Sequence, residues 1–435
     1  MLPIVLDVRI DPAAVGRIRD EIVDWRFKGL PDSVTGRSVG EVVDARLDLF
    51  ADGFTGPLLT LDAEALAHNL ATMAAWCAAH GLSLMPHGKT TMAPQLFARQ
   101  LELGAWGITA ANIAQVRVYR GFGVGRVQMA NELVDPAGLR WVAAELARDP
   151  DFDFTCWVDS VAGVGLMDSA LRPLTPERPV DVLVEVGGTG GRSGVRDVAD
   201  AVAVADAVAA STVLRLVGVA GYEGALAGAE PSADGLALIT RYLEQLRSAV
   251  ERLSFDVPEV IVTAGGSSYF DVVGEVLTRP WPAGLAVRPV LRSGAYITHD
   301  SGFYQDVSPL GESVRLSDAE PFRAAATAWG QVMSRPEPGL ALATMGKRDV
   351  PFDLGMPVPR LVRAPAGDVT PLTGWRVAKL ADQHTFLAPD GPAAPLAVGD
   401  WVGFGLSHPC TMFDKWSLIP VVSGTTVVDL VRTYF

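Results

Sequence analysis

Eight short apolar runs begin near Leu82, Gly107, Arg126, Asp153, Val180, Leu214, Glu259 and Leu285, separated mostly by one amphipathic stretch each. This alternation constrains the fold most, because parallel neighbours need a long crossover and a helix is the usual one. The helical stretches are clearest over 63–80, 197–210 and 233–253, where apolar residues recur every three or four positions. Eight evenly spaced units favour closure into a (β/α)8 barrel of the TIM type over an open doubly wound sheet. After Pro289 the helical period fades, and Pro336, Pro338, Pro351, Pro357, Pro359, Pro365 and Pro371 break the chain into short Val/Leu runs. That texture predicts a second, β-rich domain. The expected division is a helical N-terminal extension over 1–56, the barrel over 57–292 and the β-rich domain over 293–435. The extension is amphipathic around 13–26 and is expected to pack on one of the two domains.

A chain of 435 residues is long enough for two cores. Its formal charge of −14 and its lack of a lysine/arginine cluster exclude nucleic acid as a natural partner. Cys77, Cys156 and Cys410 are too few and too scattered for a disulfide framework, which favours a cytoplasmic protein. Met1–Asp7 lacks the basic region and apolar stretch of a signal peptide, and no apolar run approaches the length of a membrane span.

Of 36 lysines and arginines only five are lysine, and one of these, Lys89, sits in the run Pro86-His87-Gly88-Lys89-Thr90 after the first apolar stretch. A lysine, unlike an arginine, loses its proton on burial and then attacks carbonyl carbon. Most lysines are solvated surface groups, so Lys89 gains weight only from its surroundings. In a β/α barrel reactive groups collect at the C-terminal strand ends, where Lys89 is placed. The fifth strand is followed by Glu185 and a glycine-rich run holding Arg192, and the sixth by Tyr222-Glu223-Gly224. The seventh is followed by Gly265-Gly266-Ser267-Ser268, and the eighth by Arg292-Ser293-Gly294-Ala295-Tyr296. Two glycines, two hydroxyls and a helix start after the seventh strand suit a phosphate, although most Gly-Gly-Ser-Ser runs are ordinary turns. A lysine and a phosphate cradle at one barrel mouth are what pyridoxal phosphate requires. In the β-rich domain, His408 and Cys410 would share one face if their segment is a strand. Imidazole and thiolate suit Zn²⁺, but two ligands fall short of a full set, and a half-buried histidine beside an inert cysteine is the plainer reading.

Taken in order, Pro86-His87-Gly88-Lys89-Thr90, the Gly-Gly-Ser-Ser loop, the run from Arg292 to Asp300, and His408-Pro409-Cys410 resemble the D-serine dehydratase/D-threonine aldolase family. These are fold-type III pyridoxal-phosphate enzymes with an alanine-racemase-like barrel, and the resemblance runs from about Pro57 to the C-terminus. Gly346–Asp349 adds a likeness to a bacterial amino acid deaminase branch. The first fifty residues match nothing in the family core, and Ser293 and Glu223 depart from many relatives. Carried over, Lys89 would be the Schiff-base lysine and the base at Cα. Gly265, Gly266, Ser267 and Ser268 would hold the phosphate, and Arg192 and Tyr222 would lie near the ring. Tyr296 would lie by substrate or phosphate, His87 beside the cofactor, and His408 and Cys410 would bind zinc, with manganese as the other candidate. His384 is a further histidine that would serve catalysis or simple packing.

The resemblance implies β-elimination from a D-3-hydroxyamino acid of the D-serine type, giving a 2-oxo acid and ammonia. His-x-Cys looks like the zinc site of the dehydratases, whereas the aldolases tend to carry His-x-Asp. A D-threonine-type aldolase is the nearest rival. An alanine-type racemase, a non-catalytic pyridoxal-phosphate carrier and a sugar- or nucleotide-binding barrel stay behind it. A homodimer is expected from the same resemblance.

Overall fold

The computed structural model describes residues 9–226, 231–312 and 314–435; the signal-peptide reading of Met1–Asp7 lies outside them. Two sheets organise the chain. The first has eight strands, all parallel, at Ser83–Leu84, Ile108–Ala110, Arg126–Glu132, Asp153–Val158, Val180–Val186, Leu214–Gly221, Val260–Ala264 and Val287–Leu291. Each expected strand start falls within three residues of an observed one. The expected helices appear as Ala63–Ala79, Val198–Ala209 and Ala233–Arg252. Their N-termini are capped by side chains of Asp62, Asp197 and Ser232, which accept backbone N–H groups of the first turn.

Seven of the eight strand junctions are regular ladders. The first and second strands meet instead through an isolated His87–Thr109 bridge, with Trp106 N–H on the Leu84 carbonyl and Thr109 N–H on the Pro86 carbonyl. Pro86 has no N–H to continue a ladder, so the first strand stops after two residues and the chain turns into the lysine loop. Trp157, Leu183, Val217 and Ala220 form a small buried layer inside the barrel, with Ala130, Val257 and Ile261 against it.

The second sheet holds ten strands, nine from the C-terminal third and one from before the barrel. That strand, Leu58–Asp62, pairs antiparallel with Ala326–Glu337 and parallel with Leu418–Ser423. The structure therefore corrects the expected start of the barrel at residue 57. Leu58, Leu59 and Leu61 are all buried because the strand is covered on both faces, and central burial of this kind is supplied by the second sheet. The N-terminal segment packs on this sheet too: Val23, Phe27, Val39, Val42 and Phe54 cluster with Trp329, Trp401 and Leu430. It is less helical than expected, with α-helix only at Pro12–Gly16 and Val39–Asp44 and short 3-10 turns between. No helix among the described residues is long and apolar enough to cross a membrane.

Candidate active site

A cavity of about 460 Å³ opens at the C-terminal ends of the barrel strands, where the second sheet leans over the mouth. Lys89 lies in it, on a 3-10 turn formed by Gly88–Thr90. Gly88 admits no side chain, since a Cβ there would stand 2.6 Å from the Tyr119 hydroxyl oxygen. The turn is thus pinned close to the barrel wall, and the lysine projects from a fixed base. Burial lowers the Lys89 pKa; Cys410 opposes that shift, while Arg192 and Arg292 reinforce it. His87 is held neutral chiefly by burial and next by the lysine, and its Nδ1 is buried without a hydrogen-bond partner.

Arg192 reaches over the Tyr222 ring at 4.8 Å, and both line the cavity. Burial, then the Glu223 charge, pushes the Tyr222 hydroxyl up to about 12, so it stays protonated. On the seventh-strand loop Gly265 has φ +102, a left-handed conformation that glycine adopts freely. Its N–H and that of Gly266 are not free for an anion, however. They donate to Glu223 Oε2 at 3.0 Å and Oε1 at 2.7 Å, and Glu223 is wholly buried. The two glycines therefore leave the cavity no free N–H group of their own. Glu223 fills the concave side of the turn, and Ser267 presents the cavity side. Ser268 does not line the cavity; its carbonyl accepts Arg315 Nη2 at 2.5 Å.

The largest correction concerns Tyr296. Its ring is buried beside Phe322, and its hydroxyl accepts Gln100 Nε2 at 3.1 Å, away from the cavity. Tyr304, eight positions later, faces the cavity in its stead. Tyr296 belongs to a 3-10 turn, Ala295–Ile297, in which Ala295 lines the cavity while Tyr296 and Ile297 pack in the core. His384 also lies elsewhere, in the turn before the Thr385–Pro389 strand.

His408 and Cys410 do meet at the cavity, but not on a strand. The preceding strand, Trp401–Gly405, ends before them, and Pro409–Thr411 is a 3-10 turn. Convergence comes from a left-handed kink at His408, φ 67 and ψ 80. A non-glycine residue there costs on the order of 1 kcal/mol and needs support. Asp300 supplies it: Oδ2 accepts the His408 N–H at 2.9 Å, while Oδ1 accepts the N–H groups of Gly302, Tyr304 and Gln305. Asp353 Oδ2 lies 2.5 Å from His408 Nδ1 and orients the ring. Burial pulls the His408 pKa down, but Cys410 and Asp353 outweigh it and push the imidazole up to about 9. From the barrel side the Thr90 hydroxyl lies 3.3 Å from Cys410 Sγ.

Several groups on or beside the cavity wall had no role assigned from the sequence. Arg292 lies on the cavity wall, 3% exposed, bonded to Gly221 O at 2.6 Å and to Thr263 Oγ1, and over the Trp157 ring. Carboxylate oxygens of Glu132, Asp159 and Glu185, from the ends of the third, fourth and fifth strands, lie within 4.8 Å of one another. Burial and then Glu185 push the Glu132 carboxyl up to about 8. A charged side chain closing an apolar run was the available signal for Glu132 and Glu185.

Two family models match the chain: alanine racemase, N-terminal domain, over residues 61–271, and putative serine dehydratase domain, over residues 325–422. A 3-hydroxy-D-aspartate aldolase from Paracoccus denitrificans is 25% identical over 335 residues, covering 74% of this chain and 80% of the relative. The crystal structure of a D-threonine aldolase from Filomicrobium marinum superposes with a TM-score of 0.72 at 25% identity, covering 87% of this chain and 95% of that one. Together these matches support the D-serine dehydratase/D-threonine aldolase family for this chain. The fold agrees: a D-threo-3-hydroxyaspartate dehydratase from a Delftia species gives a TM-score of 0.66 at 20% identity, over 88% of this chain and 98% of that one. Fold-type III enzymes of this family use pyridoxal phosphate, and the alanine-racemase-like barrel with its β-rich partner sheet is theirs.

The cavity fits that cofactor. It combines an amine of lowered pKa with a buried, unpartnered imidazole nitrogen and the Gly265–Ser267 turn. An added Cβ at Gly266 would close to 3.0 Å on the Tyr222 ring.

Proposed function

We propose that this chain is a pyridoxal-phosphate and divalent-metal lyase that dehydrates a D-3-hydroxyamino acid of the D-serine type. The products are a 2-oxo acid and ammonia. The observation that carries the reading is one cavity in which Lys89 shares walls with His408 and Cys410, joined by the Thr90–Cys410 contact at 3.3 Å. When bound, pyridoxal phosphate supplies an electron sink at Cα and a divalent cation supplies a Lewis acid at the β-oxygen.

In this reading Lys89 holds the cofactor and, once displaced by the substrate amine, takes the Cα proton at Nζ. Its lowered pKa favours the free amine that this role requires. Ser267, with the N–H groups that follow Gly266, takes the phosphate, while Glu223 fixes the loop from behind. Arg192 and Tyr222 bound the ring as a stacked pair. His408 and Cys410 hold zinc or manganese, and Asp353 orients the imidazole as carboxylates do for metal-bound histidines. Departure of the β-hydroxyl as water and later hydrolysis of the released enamine give oxo acid and ammonia in balance.

A second reading, aldol cleavage of a D-threonine-type substrate to glycine and an aldehyde, is favoured by the names of the Paracoccus and Filomicrobium relatives. Cys410 weighs toward the dehydratase. The proposal extends to a homodimer in a reducing cytoplasm, consistent with three unpaired cysteines. The test is incubation with D-serine, D-threonine and D-threo-3-hydroxyaspartate, with and without chelator. Oxo acid and ammonia that vanish on chelation support the dehydratase; glycine moves the chain to the aldolases.

A further inference from the structure

The Gly265–Ser268 turn is gripped by side chains from three other parts of the chain. Glu223 accepts the Gly265 and Gly266 N–H groups, and Ser293 Oγ donates to the Gly266 carbonyl at 2.7 Å. The third grip comes from Arg315, which lies outside every strand and helix, between the Phe303–Val307 helix and the Ala326–Glu337 strand. Its guanidinium donates to the Ser268 carbonyl at 2.5 Å and to the Val307 carbonyl at 2.9 Å. It also meets both oxygens of Asp271, with Nε at 2.8 Å and Nη2 at 3.1 Å. The backbone beneath it is anchored in turn, since the Arg315 N–H donates to the Pro309 carbonyl at 3.0 Å.

Arg315 does not line the cavity, so any effect it has there passes through the turn. Two effects follow from its contacts. First, the Ser268–Tyr269 peptide is planar, so fixing the Ser268 carbonyl also fixes the direction of the Tyr269 N–H. With Gly266 held on one side and Ser268 on the other, Ser267 between them is kept on the cavity wall. Second, Asp271 lies in the first turn of the Phe270–Leu277 helix, the end at which a helix otherwise favours an anion. Its side chain is 12% exposed, and Arg315 is the cation paired with it among the described residues. Unpaired, that carboxylate would stand three residues from Ser268 and repel a phosphate at Ser267, with Glu223 already behind the turn.

We propose that Arg315 is a positioning residue for the cofactor phosphate. It holds the Ser268 end of the turn in shape and cancels the charge of Asp271 beside it. This rests on the reading of the cavity as a pyridoxal-phosphate site. A lysine cannot replace it in full, because one nitrogen cannot bond Ser268, Val307 and both Asp271 oxygens together.

The experiment titrates the full-length protein, freed of cofactor, with pyridoxal phosphate and separately with pyridoxal, which carries the aldehyde and no phosphate. Visible absorbance reads binding of each. Wild type should bind the phosphorylated form far more tightly. Arg315→Met should lose about tenfold or more in affinity for pyridoxal phosphate and stay within about twofold of wild type for pyridoxal. Arg315→Lys, which keeps the charge, should fall between the two and carries the test if Arg315→Met does not accumulate. An equal loss for both aldehydes would make Arg315 a structural residue only, and no loss for either would leave the turn indifferent to it; both results overturn the proposal. Wild type that binds neither aldehyde would overturn the cofactor reading itself, and the proposal with it.

Discussion

Thr90 and Cys410 meet at 3.3 Å across 320 positions of sequence, and their contact joins the lysine turn of the barrel to the loop that carries His408. The residue next to Lys89 thus touches the sulfur assigned to the metal. The contact between hydroxyl and thiol ties the two loops together at the cavity.

Replacement of Cys410 should separate the two centres. Cys410→Ala is expected to keep the visible absorbance of the cofactor and to lose bound zinc, with turnover falling about 100-fold or more. Metal analysis beside an absorbance spectrum checks this. In wild type a chelator should abolish turnover reversibly, with recovery on zinc or manganese. Full activity in a metal-free protein would remove His408 and Cys410 from the chemistry.

Lys89→Arg keeps a positive charge and loses the nucleophile, because guanidinium does not deprotonate in the working range. The variant should be colourless after pyridoxal phosphate is added and excess removed, and turnover should fall by about 10³ or more. Borohydride reduction followed by peptide mapping should mark Lys89 in wild type and no residue in the variant.

Asp300 positions His408 without touching the cavity. In Asp300→Asn one oxygen still caps the turn at 302–305, but an NH2 group faces the His408 N–H, and two donors in contact cost about 1–3 kcal/mol. The left-handed kink at His408 loses its support. Metal affinity should drop about tenfold while cofactor absorbance stays unchanged, a split that general destabilisation would not produce.

The eight barrel strands were legible because each is an apolar run bounded by a helix of clear period, and local pattern decides such elements. The strand Leu58–Asp62 was not, since its neighbours are Ala326–Glu337 and Leu418–Ser423 and nothing local names partners so far away. At the site, the sequence located the turns correctly and the side-chain directions only in part. Lys89, Arg192, Tyr222, His408 and Cys410 all line one cavity. His408 and Cys410 do so through a positive φ and a 3-10 turn rather than through strand alternation, because Pro409 cannot donate to a ladder. That Glu223 occupies the Gly265 and Gly266 N–H groups was not legible, because this acceptor comes from a different strand end.

Tyr296 and Tyr304 provide the test of direction. Tyr296→Phe removes only the Gln100 bond, worth about 1 kcal/mol, and should leave turnover within about twofold while lowering the melting temperature slightly. Tyr304→Phe removes a hydroxyl from the cavity wall and should change KM or kcat severalfold with little effect on stability. The opposite pattern would return Tyr296 to the site.

Glu132, beside Asp159 and Glu185, gives the protein a pH dependence of definite sign. Glu132 ionises near 4.5 when unfolded and at about 8 when folded, because burial and then Glu185 oppose its charge. A carboxyl whose pKa is raised by folding binds more protons in the native state, so its contribution to stability is full below about 4.5 and is lost progressively as pH rises to about 8. Glutamine carries no proton to lose. Glu132→Gln should therefore melt close to wild type at about pH 4.5 and roughly 2–5 °C higher at about pH 8, with the gap opening steadily between. Thermal melts of both proteins across that interval read the effect directly. A gap that stays constant with pH would mean that Glu132 is ionised throughout and that the three carboxylates are held by some other counter-charge.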